Sequence, residues 1–259
     1  MPTWAIELSN DGSFYKTEFF VKLFELENFS FWFRARNELI IFMLKKYYSG
    51  IRSFMEIGCG TGFVLSGVAS AFPYAKMMGC DVSIESLLFA SSRVKNAYFM
   101  QMDVRNMPFV DEFDVVGAFD VLEHIQEDEV VLSEIFKAVK KGGGLILTIP
   151  QHPWLWSETD RYWSHVRRYT VDEAHKKIEN AGFKIIRSTS FVSLLLPAMI
   201  ASRYYRSNKH DIKVFDDLNI SPTVNKILYL ILCIERSLIK LGFSIIIGGS
   251  RLIVARKVS

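Results

Sequence analysis

The residues with the clearest chemical meaning form a short run of three alternating glycines. The segment Phe54–Leu65 passes from one apolar stretch through Gly58, Gly60 and Gly62 into a second apolar stretch. Glycines let the backbone turn sharply and approach a ligand closely, and the start of a following helix offers unpaired N–H groups. The pattern predicts a strand, a ligand-binding turn and a helix. A glycine triplet also occurs in nicotinamide-binding domains and in structural turns, so the surrounding residues must decide between these.

Carboxylic acids follow or close the neighbouring predicted strands. Asp81 comes about twenty residues after the glycines, where an acid can bind a ribose hydroxyl. Asp103 and Asp120 follow the next two predicted strands, and Glu56 lies in the first. Because ligands of open α/β sheets bind at the carboxyl ends of the strands, we expect these acids to share one edge. An acidic edge suits a cationic sulfonium and ammonium ligand better than a pyrophosphate.

Alternating strand and helix patterns are expected to position these residues. Such alternation predicts βαβ units and a mostly parallel sheet that is covered on both faces. The expected strands are Ser53–Ile57, Lys76–Cys80, Tyr98–Met102, Phe113–Phe119, Gly144–Ile149, Phe183–Ser188 and Ser250–Arg256. The expected helices are Trp32–Tyr48, Gly62–Phe72, Ser83–Ser91, Asp128–Val139 and Val171–Ala181.

As a set, these motifs resemble the class I, Rossmann-like methyltransferases that depend on S-adenosylmethionine (SAM) and act on small molecules. The matching residues are Glu56–Gly62, Asp81, Asp103, Asp120–His124 and Lys140–Gly144, where Lys141 stands at the family's usual proline. The resemblance implies a three-layer α/β fold with a seven-stranded, mostly parallel sheet and an antiparallel last strand. It also implies SAM as the cofactor.

The resemblance further implies how SAM is held. The glycine loop would hold the methionine part, Asp81 the ribose hydroxyls, and Asp103 with Val104 the adenine. The expected cofactor-binding residues are Glu56, Gly58, Cys59, Gly60, Gly62, Asp81, Val82, Asp103, Val104, Phe119, Asp120 and Arg36. Phe31, Trp32 and Arg34 or Arg36 are expected to form a lid across SAM, with an arginine on its carboxylate. The rival interpretation is an amphipathic helix with its arginines in water.

We expect four regions along the chain. These are an aromatic-rich helical lid at 1–50, a SAM-binding core at 51–190, an apolar helical insertion or cap at 191–249 and the last strand at 250–259. On a helical wheel, Thr223–Leu241 has a broad apolar face with a basic edge. Such a face can cover the body as a cap, form a homodimer or lie on an anionic membrane.

The segment Pro150–Thr170 is expected to hang over the cofactor's methyl group, because it leaves the same edge of the sheet. It is rich in Trp, His, Arg and Tyr, which are common in binding sites. The candidate catalytic bases are His165 first, then His124 and His152, since the pKa of histidine suits proton transfer near neutrality. The candidate substrate-binding residues are Trp154, Trp156, Arg167, Arg168 and Tyr169.

Structural alternatives exist for the same residues. His165 could pack or cap its loop, and Trp154 and Trp156 could be wall or core. One of the two arginines could pair with Asp160 or Glu173 while the other is solvated.

Composition narrows the class of protein. A net charge of +3 over 259 residues does not suggest a nucleic-acid binder, which usually carries a concentrated basic patch. The three cysteines are too few and scattered for a disulfide framework or a metal-ligand pair, and a cytoplasmic location fits best, with peripheral membrane contact left open. Met1–Gly12 lacks the pattern of a signal peptide. We expect no metal in the reaction.

The predicted activity is methyl transfer from SAM to an O or N atom of a small lipid-, quinone- or glycan-related acceptor. One alternative is a non-catalytic SAM-binding or membrane-attached accessory protein. The other is an NAD-dependent oxidoreductase, against which the spacing of the glycines counts.

Overall fold

The architecture is a single sheet with helices packed on both of its faces, seen in a computed structural model that describes residues 17–206 and 220–258. The strands are β1 (Ser53–Ile57), β2 (Lys76–Asp81), β3 (Ala97–Gln101), β4 (Phe113–Phe119), β5 (Val139–Pro150), β6 (Phe183–Phe191) and β7 (Ser250–Lys257). The α-helices are α1 (Thr17–Glu27), α2 (Phe31–Tyr47), α3 (Phe63–Ala71), α4 (Ile84–Arg93), α5 (Asp128–Ala138), α6 (Glu158–Tyr162), α7 (Val171–Asn180), α8 (Leu196–Arg206) and α9 (Pro222–Lys240). Residues 1–16 of the expected lid lie outside the described residues.

The seven strands run in the order β3-β2-β1-β4-β5-β7-β6. The neighbours from β3 to β5 are all parallel, and β7 is antiparallel to both β5 and β6. This confirms the expected fold class. Because the chain reverses its direction of travel along the sheet between β1 and β4, a crevice is expected at the carboxyl ends of these two strands.

The strands form where apolar residues are buried on both sides. Phe54 and Met55 are neighbours in β1, are both fully buried, and belong to separate apolar clusters on the two faces of the sheet. That follows from the two-residue period of a strand. Helices α2, α3, α4 and α9 contribute to one cluster, and α5 and α7 contribute to the other.

Strand β5 begins earlier than the expected Gly144. It starts at Val139, which pairs with Phe113 before a bulge in the ladder. Lys140 reinforces the early start, since its Nζ lies 2.9 Å from Asp114 Oδ1. The pairing of Val139 with Phe113 therefore extends the strand through the run of glycines that pointed to a loop.

The apolar insertion is helical where it is described, and α9 packs on α2. Leu232 and Ile239 of α9 are buried in that contact. Its body-facing side also carries polar residues, because Tyr229 donates a 2.6 Å hydrogen bond to Glu38. Part of the apolar arc is exposed instead: Ile227, Leu230, Ile234 and Leu238. A dimer contact or a membrane contact through this exposed arc stays a prediction.

Among the described residues, Glu235 in the apolar arc of α9 is bound by backbone N–H groups and not by an arginine. Its carboxylate accepts hydrogen bonds from the backbone N–H groups of Val192, Ser193 and Leu194, at 2.6, 2.6 and 2.8 Å. Val192 has a φ of 59°, which is unusual for a β-branched residue. The buried carboxylate thus fixes the turn that leads from β6 into α8.

None of the helices in residues 17–206 and 220–258 combines the length and hydrophobicity that a bilayer span requires.

Candidate active site

The glycine loop joins β1 to α3 in a left-handed backbone conformation. Gly58, Gly60 and Gly62 have φ angles of 60, 51 and 76°, which residues with a Cβ adopt only at a cost. A Cβ on Gly58 would lie 2.5 Å from Val121 Cγ2, and one on Gly62 would lie 3.0 Å from Ala90 Cα. At Gly60 a Cβ would have no described atom within 4 Å. The outer two glycines therefore allow close packing, and the middle one faces open space.

Asp81 stands against this loop from the end of β2. Its Oδ2 accepts a 2.9 Å hydrogen bond from the Gly60 N–H, and its Oδ1 accepts one of 2.9 Å from the Ser83 N–H. Ser83, not Asp81, caps α4, since Ser83 Oγ accepts from the Ser86 N–H. Burial raises the pKa of Asp81 despite these hydrogen bonds. The loop and the first aspartate thus form one unit.

Glu56 lies at the carboxyl end of β1, below the loop. It is buried, and its Oε2 has no hydrogen-bond partner among the described residues. Burial raises the pKa of Glu56 well above its usual value, with Arg36 acting in the opposite direction and Glu27 and Asp81 adding to the rise. Cys59 and Phe119, also expected at the cofactor site, are buried beside these strand ends.

Asp103 follows β3 and is held by its neighbour Arg105. Nε and Nη2 of Arg105 donate to the Asp103 carboxylate, the latter at 2.8 Å. Burial acts to raise the pKa of Asp103, but the hydrogen bonds from Arg105 outweigh it and the pKa is lowered. Val104 is buried next to it. The side chain of Gln101 donates to the Val82 carbonyl at 3.1 Å, which links β3 to the residue after Asp81.

Arg36 crosses from α2 to the end of β4. Its Nη1 makes an ion pair with Asp120, and its guanidinium lies 4.3 Å from the ring centroid of Trp32. The rival expectation that these arginines lie in water is wrong for Arg36, whose side chain is only 9% exposed. Arg34 points elsewhere, over the ring of Tyr229. Asp120 has a φ of 57°, a strained conformation of the kind that concentrates at functional sites.

A second ion pair on this edge was not predicted from the sequence. Glu27, the last residue of α1, accepts from Thr61 Oγ1 in the glycine loop and from Arg93 Nη1 at 2.6 Å. Arg93 also lies 3.9 Å from the ring centroid of Phe24. These contacts hold α1 directly on the loop. Only the aromatic composition of the segment hinted at packing, and nothing marked Glu27 itself.

His165 is oriented by a buried carboxylate. His165 Nδ1 and Asp160 Oδ1 are 3.0 Å apart, and Arg168 Nε donates to the same oxygen at 2.7 Å. These partners hold the pKa of Asp160 far below its usual range, although burial acts to raise it. The structural alternative in which one of the two arginines pairs with Asp160 is therefore found for Arg168. His165 itself reaches toward His124.

Glu123 and His124 sit on a short 3₁₀ turn, Leu122–His124, directly after Asp120. The rings of His124 and His165 meet edge to face, with centroids 4.8 Å apart. Glu123 is fully buried, and neither of its carboxylate oxygens has a hydrogen-bond partner among the described residues. Burial raises the pKa of Glu123 well above its usual value, and Asp120 adds to the rise.

Part of the surface of His124 is exposed to solvent. Its imidazole nitrogens are nevertheless surrounded by protein atoms and are partly desolvated. This loss of solvation lowers the pKa of His124 to about 4, and His165 adds to the lowering. His152, the third candidate base, stands apart from this pair. Its ring packs on Trp154, and its Nε2 is buried without a partner among the described residues. Trp154 is 61% exposed, and Trp156 is half-buried.

Three of the expected substrate-binding residues have structural partners instead. Arg167 and Tyr169 both contact Asp128 Oδ2 at 2.7 Å, and Arg168 contacts Asp160. Tyr169 and Arg168 are buried. We therefore revise the expectation for Arg167, Arg168 and Tyr169: their polar groups support the loop from below, because the chain needs them to satisfy two buried aspartates.

The sequence of the strand region matches a known family. A family model described as "Methyltransferase domain" matches residues 55–147, from the glycine loop's strand into β5. A protein of Mycolicibacterium smegmatis named "Probable S-adenosylmethionine-dependent methyltransferase" is 25% identical over 159 residues, which is 60% of this chain and 60% of that protein. A demethylmenaquinone methyltransferase of Lactococcus lactis is 34% identical over 112 residues, 40% of this chain and 44% of that protein.

The fold has solved counterparts. The structure of Haemonchus contortus phosphoethanolamine N-methyltransferase 2 in complex with SAM superposes with a TM-score of 0.57, at 18% identity, over 86% of this chain and 52% of that one. The chain spans less than two thirds of the length of these curated relatives. Residues 55–147 thus match a methyltransferase domain within a class I, Rossmann-like methyltransferase fold, and SAM is the cofactor named for these similar proteins.

Proposed function

We propose that this chain transfers the methyl group of SAM to an oxygen or nitrogen atom of a small acceptor. The observation that carries the proposal is the contact between the Asp81 carboxylate and the Gly60 N–H at 2.9 Å, beside open space at Gly60. It joins the two parts of a nucleoside-binding edge. In the proposed complex the methionine part of SAM lies over Gly60, and its ribose hydroxyls reach Asp81.

The remaining contacts of SAM follow from the order of the strand ends. The adenine is proposed to lie beyond Asp81, toward Asp103 and Val104. The sulfonium and ammonium groups then lie toward Glu56 and Asp120, and the negative charge of Asp120 stabilises them. Arg36 is proposed to bind the carboxylate of SAM. That carboxylate competes with Asp120 for the Arg36 guanidinium.

Helices α1 and α2 are proposed to act as a lid. Their contacts with the site are made by Glu27 on Thr61 and by Arg36 on Asp120. Methyl transfer is an in-line displacement at a good leaving group, so the protein mainly aligns the two reactants and excludes water. A lid that is tied to both the loop and β4 serves both purposes.

The acceptor is proposed to enter between β4 and the loop after β5. His165 is the residue proposed to activate a hydroxyl acceptor, because Asp160 fixes its ring and it lies beside His124 after β4. In its simplest form this activation is acceptance of the hydroxyl proton by His165. The exposed Trp154 offers a flat apolar surface, which fits a quinone or another ring-bearing acceptor, in line with the named relative that acts on demethylmenaquinone.

Titration calorimetry with SAM tests the first step. We expect binding at micromolar concentration, and the absence of binding at tens of micromolar would contradict the proposal. Transfer of labelled methyl from SAM to demethylated quinols and other phenols tests the second step. Tight SAM binding without transfer to any extract would favour the non-catalytic SAM-binding alternative. A change in NADH absorbance would favour the oxidoreductase.

A further inference from the structure

Three potential metal ligands converge at the acceptor side of the site. Glu123, His124 and His165 each offer one ligand atom, and these atoms all lie within 4.8 Å of one another. The first two residues are fixed by the 3₁₀ turn after β4. The third is brought over by the loop after β5, which is tied to the turn by a 2.7 Å hydrogen bond from the Val166 N–H to the Glu123 carbonyl.

Glu123 is a buried carboxylate without the hydrogen-bond partners that such groups normally have. It is 0% exposed, and neither Oε1 nor Oε2 has a hydrogen-bond partner among the described residues. A buried polar group without a hydrogen-bond partner destabilises the fold, and a buried charge without a counter-charge does so more strongly. Asp128 and Asp160, which are equally buried, each have two or more cationic or hydroxyl partners. Glu123 is thus a buried acid with neither carboxylate oxygen paired to a cation or hydrogen-bond donor among the described residues.

The orientation of His165 fits a ligand role. Its Nδ1 is occupied by Asp160, which leaves Nε2 as the ring nitrogen available to an ion. A histidine that binds a metal through one nitrogen commonly donates the other N–H to a carboxylate, which fixes the ring and increases its basicity. Arg168 in turn holds Asp160 in place.

We propose that Glu123, His124 and His165 bind a first-row transition-metal dication such as Zn²⁺ or Mn²⁺. One carboxylate and two imidazoles form a donor set that suits such ions. Three protein ligands also leave coordination positions for a water molecule or an acceptor. This proposal departs from the expectation that the reaction needs no metal, because the three ligands come together only in the folded chain.

The role of this ion in the reaction rests on the proposed methyl transfer, whereas its binding does not. With the ion bound, His165 acts as a metal ligand through Nε2, and the ion replaces it in activating the hydroxyl acceptor. A hydroxyl oxygen bound to the ion becomes more acidic and releases its proton to water. The oxygen then forms a bond to the methyl carbon of SAM as the carbon–sulfur bond breaks, and the electron pair of that bond remains on sulfur. The products are the methyl ether, S-adenosylhomocysteine and one proton. Acceptors with an oxygen able to bind a metal, such as catechols, are then favoured.

Metal binding to the purified full chain tests the site without SAM or acceptor. The chain is treated with a chelator and then titrated with Mn²⁺, followed by the loss of the free-ion signal in electron paramagnetic resonance, and with Co²⁺, followed by its visible absorption. We expect one equivalent to bind per chain and the ion to raise the melting temperature. Glu123→Gln and His165→Asn should each weaken binding about tenfold or more and abolish the melting-temperature shift.

His175→Asn is the matched control, because His175 binds Ser188 Oγ away from the cluster and should leave metal binding unchanged. The apo melting temperature of each variant shows whether it folds, and Glu123→Gln is expected to fold at least as well as the apo parent. The proposal is overturned if the chelated parent binds none of these ions at millimolar concentration, or if Glu123→Gln binds them equally well. SAM titration of the same samples shows separately whether the proposed function fails.

Discussion

Arg36 of the second helix and Asp120 at the end of β4 make an ion pair across the switch point of the sheet. The pair joins the proposed lid to the strand end that faces the proposed methyl donor. The Arg36 side chain is 9% exposed and that of Asp120 is 20% exposed, so the charges are poorly screened. A carboxylate ligand that enters this site therefore meets a preformed, oriented guanidinium.

Replacement of Arg36 should weaken SAM binding more than it weakens the fold. Arg36→Met keeps the apolar stem against Trp32 and removes the charge. The loss of a hydrogen bond to a charged group predicts a decrease of about 1.5–3 kcal/mol in SAM affinity, measured by titration calorimetry. Arg34→Met is the control, since Arg34 stacks on Tyr229 and should bind SAM as the parent does. An equal loss of SAM affinity in both variants would contradict a specific role of Arg36 in cofactor binding.

Asp81 offers a test on the other side of the glycine loop. Asp81→Asn keeps the size of the side chain but loses the charge and one acceptor, so SAM should bind about 1–3 kcal/mol more weakly. Glu85→Gln, an exposed acid in the first turn of α4, changes the net charge equally and should have little effect. Unchanged affinity in Asp81→Asn would leave Asp81 with only its structural bonds to Gly60 and Ser83.

A substitution at Gly60 can distinguish an effect on ligand binding from an effect of backbone strain on stability. Gly60 and Gly142 both have positive φ angles, 51 and 80°, and a Cβ on either would have no described atom within 4 Å. Gly60→Ala and Gly142→Ala should therefore each cost about 1–2 kcal/mol of stability, the penalty for a left-handed residue with a Cβ. Chemical denaturation measures that cost. Only Gly60→Ala should also impair SAM binding, because its new methyl group fills the proposed ligand space.

The order of strands along the chain could be predicted from the sequence because each strand coincides with a local run of apolar residues. β1 and β4 have the predicted bounds, and their apolar runs end at Gly58 and Asp120 respectively. The contact of Asp81 with the loop also follows from topology alone, because parallel strands end at a common edge.

Other features depend on contacts between distant residues. Nothing near Glu27 announces its bond to Arg93, 66 positions away. Likewise, the motif Asp120–His124 does not reveal that His165 will reach it from the loop after β5. Arg167, Arg168 and Tyr169 have the composition of a binding segment, but two buried aspartates from α5 and α6 determine where their side chains point. The residue types showed which side chains are polar, but they did not show which other residues those side chains contact.

Asp128 is expected to be a determinant of stability and of its dependence on pH. It is buried at the start of α5, where it binds Lys177 at 2.7 Å, Arg167 and the hydroxyl of Tyr169. Burial acts to raise the pKa of Asp128, but the hydrogen bonds from Lys177 and Tyr169 outweigh it and the pKa is lowered. Asp128→Asn would leave buried cations without a counter-charge, and we expect a loss of about 3 kcal/mol in the free energy of unfolding.

The lowered pKa fixes the direction of the pH effect. A carboxyl group whose pKa is lower in the folded state stabilises the fold above its unfolded pKa of about 4, and that contribution is lost as the pH falls through the folded pKa. Urea unfolding of the parent between neutral pH and about pH 3 should therefore show a decline that is smaller in Asp128→Asn. Glu129→Gln, with an exposed side chain on the next residue, should follow the parent. Parallel declines in the parent and Asp128→Asn would show that this buried cluster is not coupled to the pH dependence.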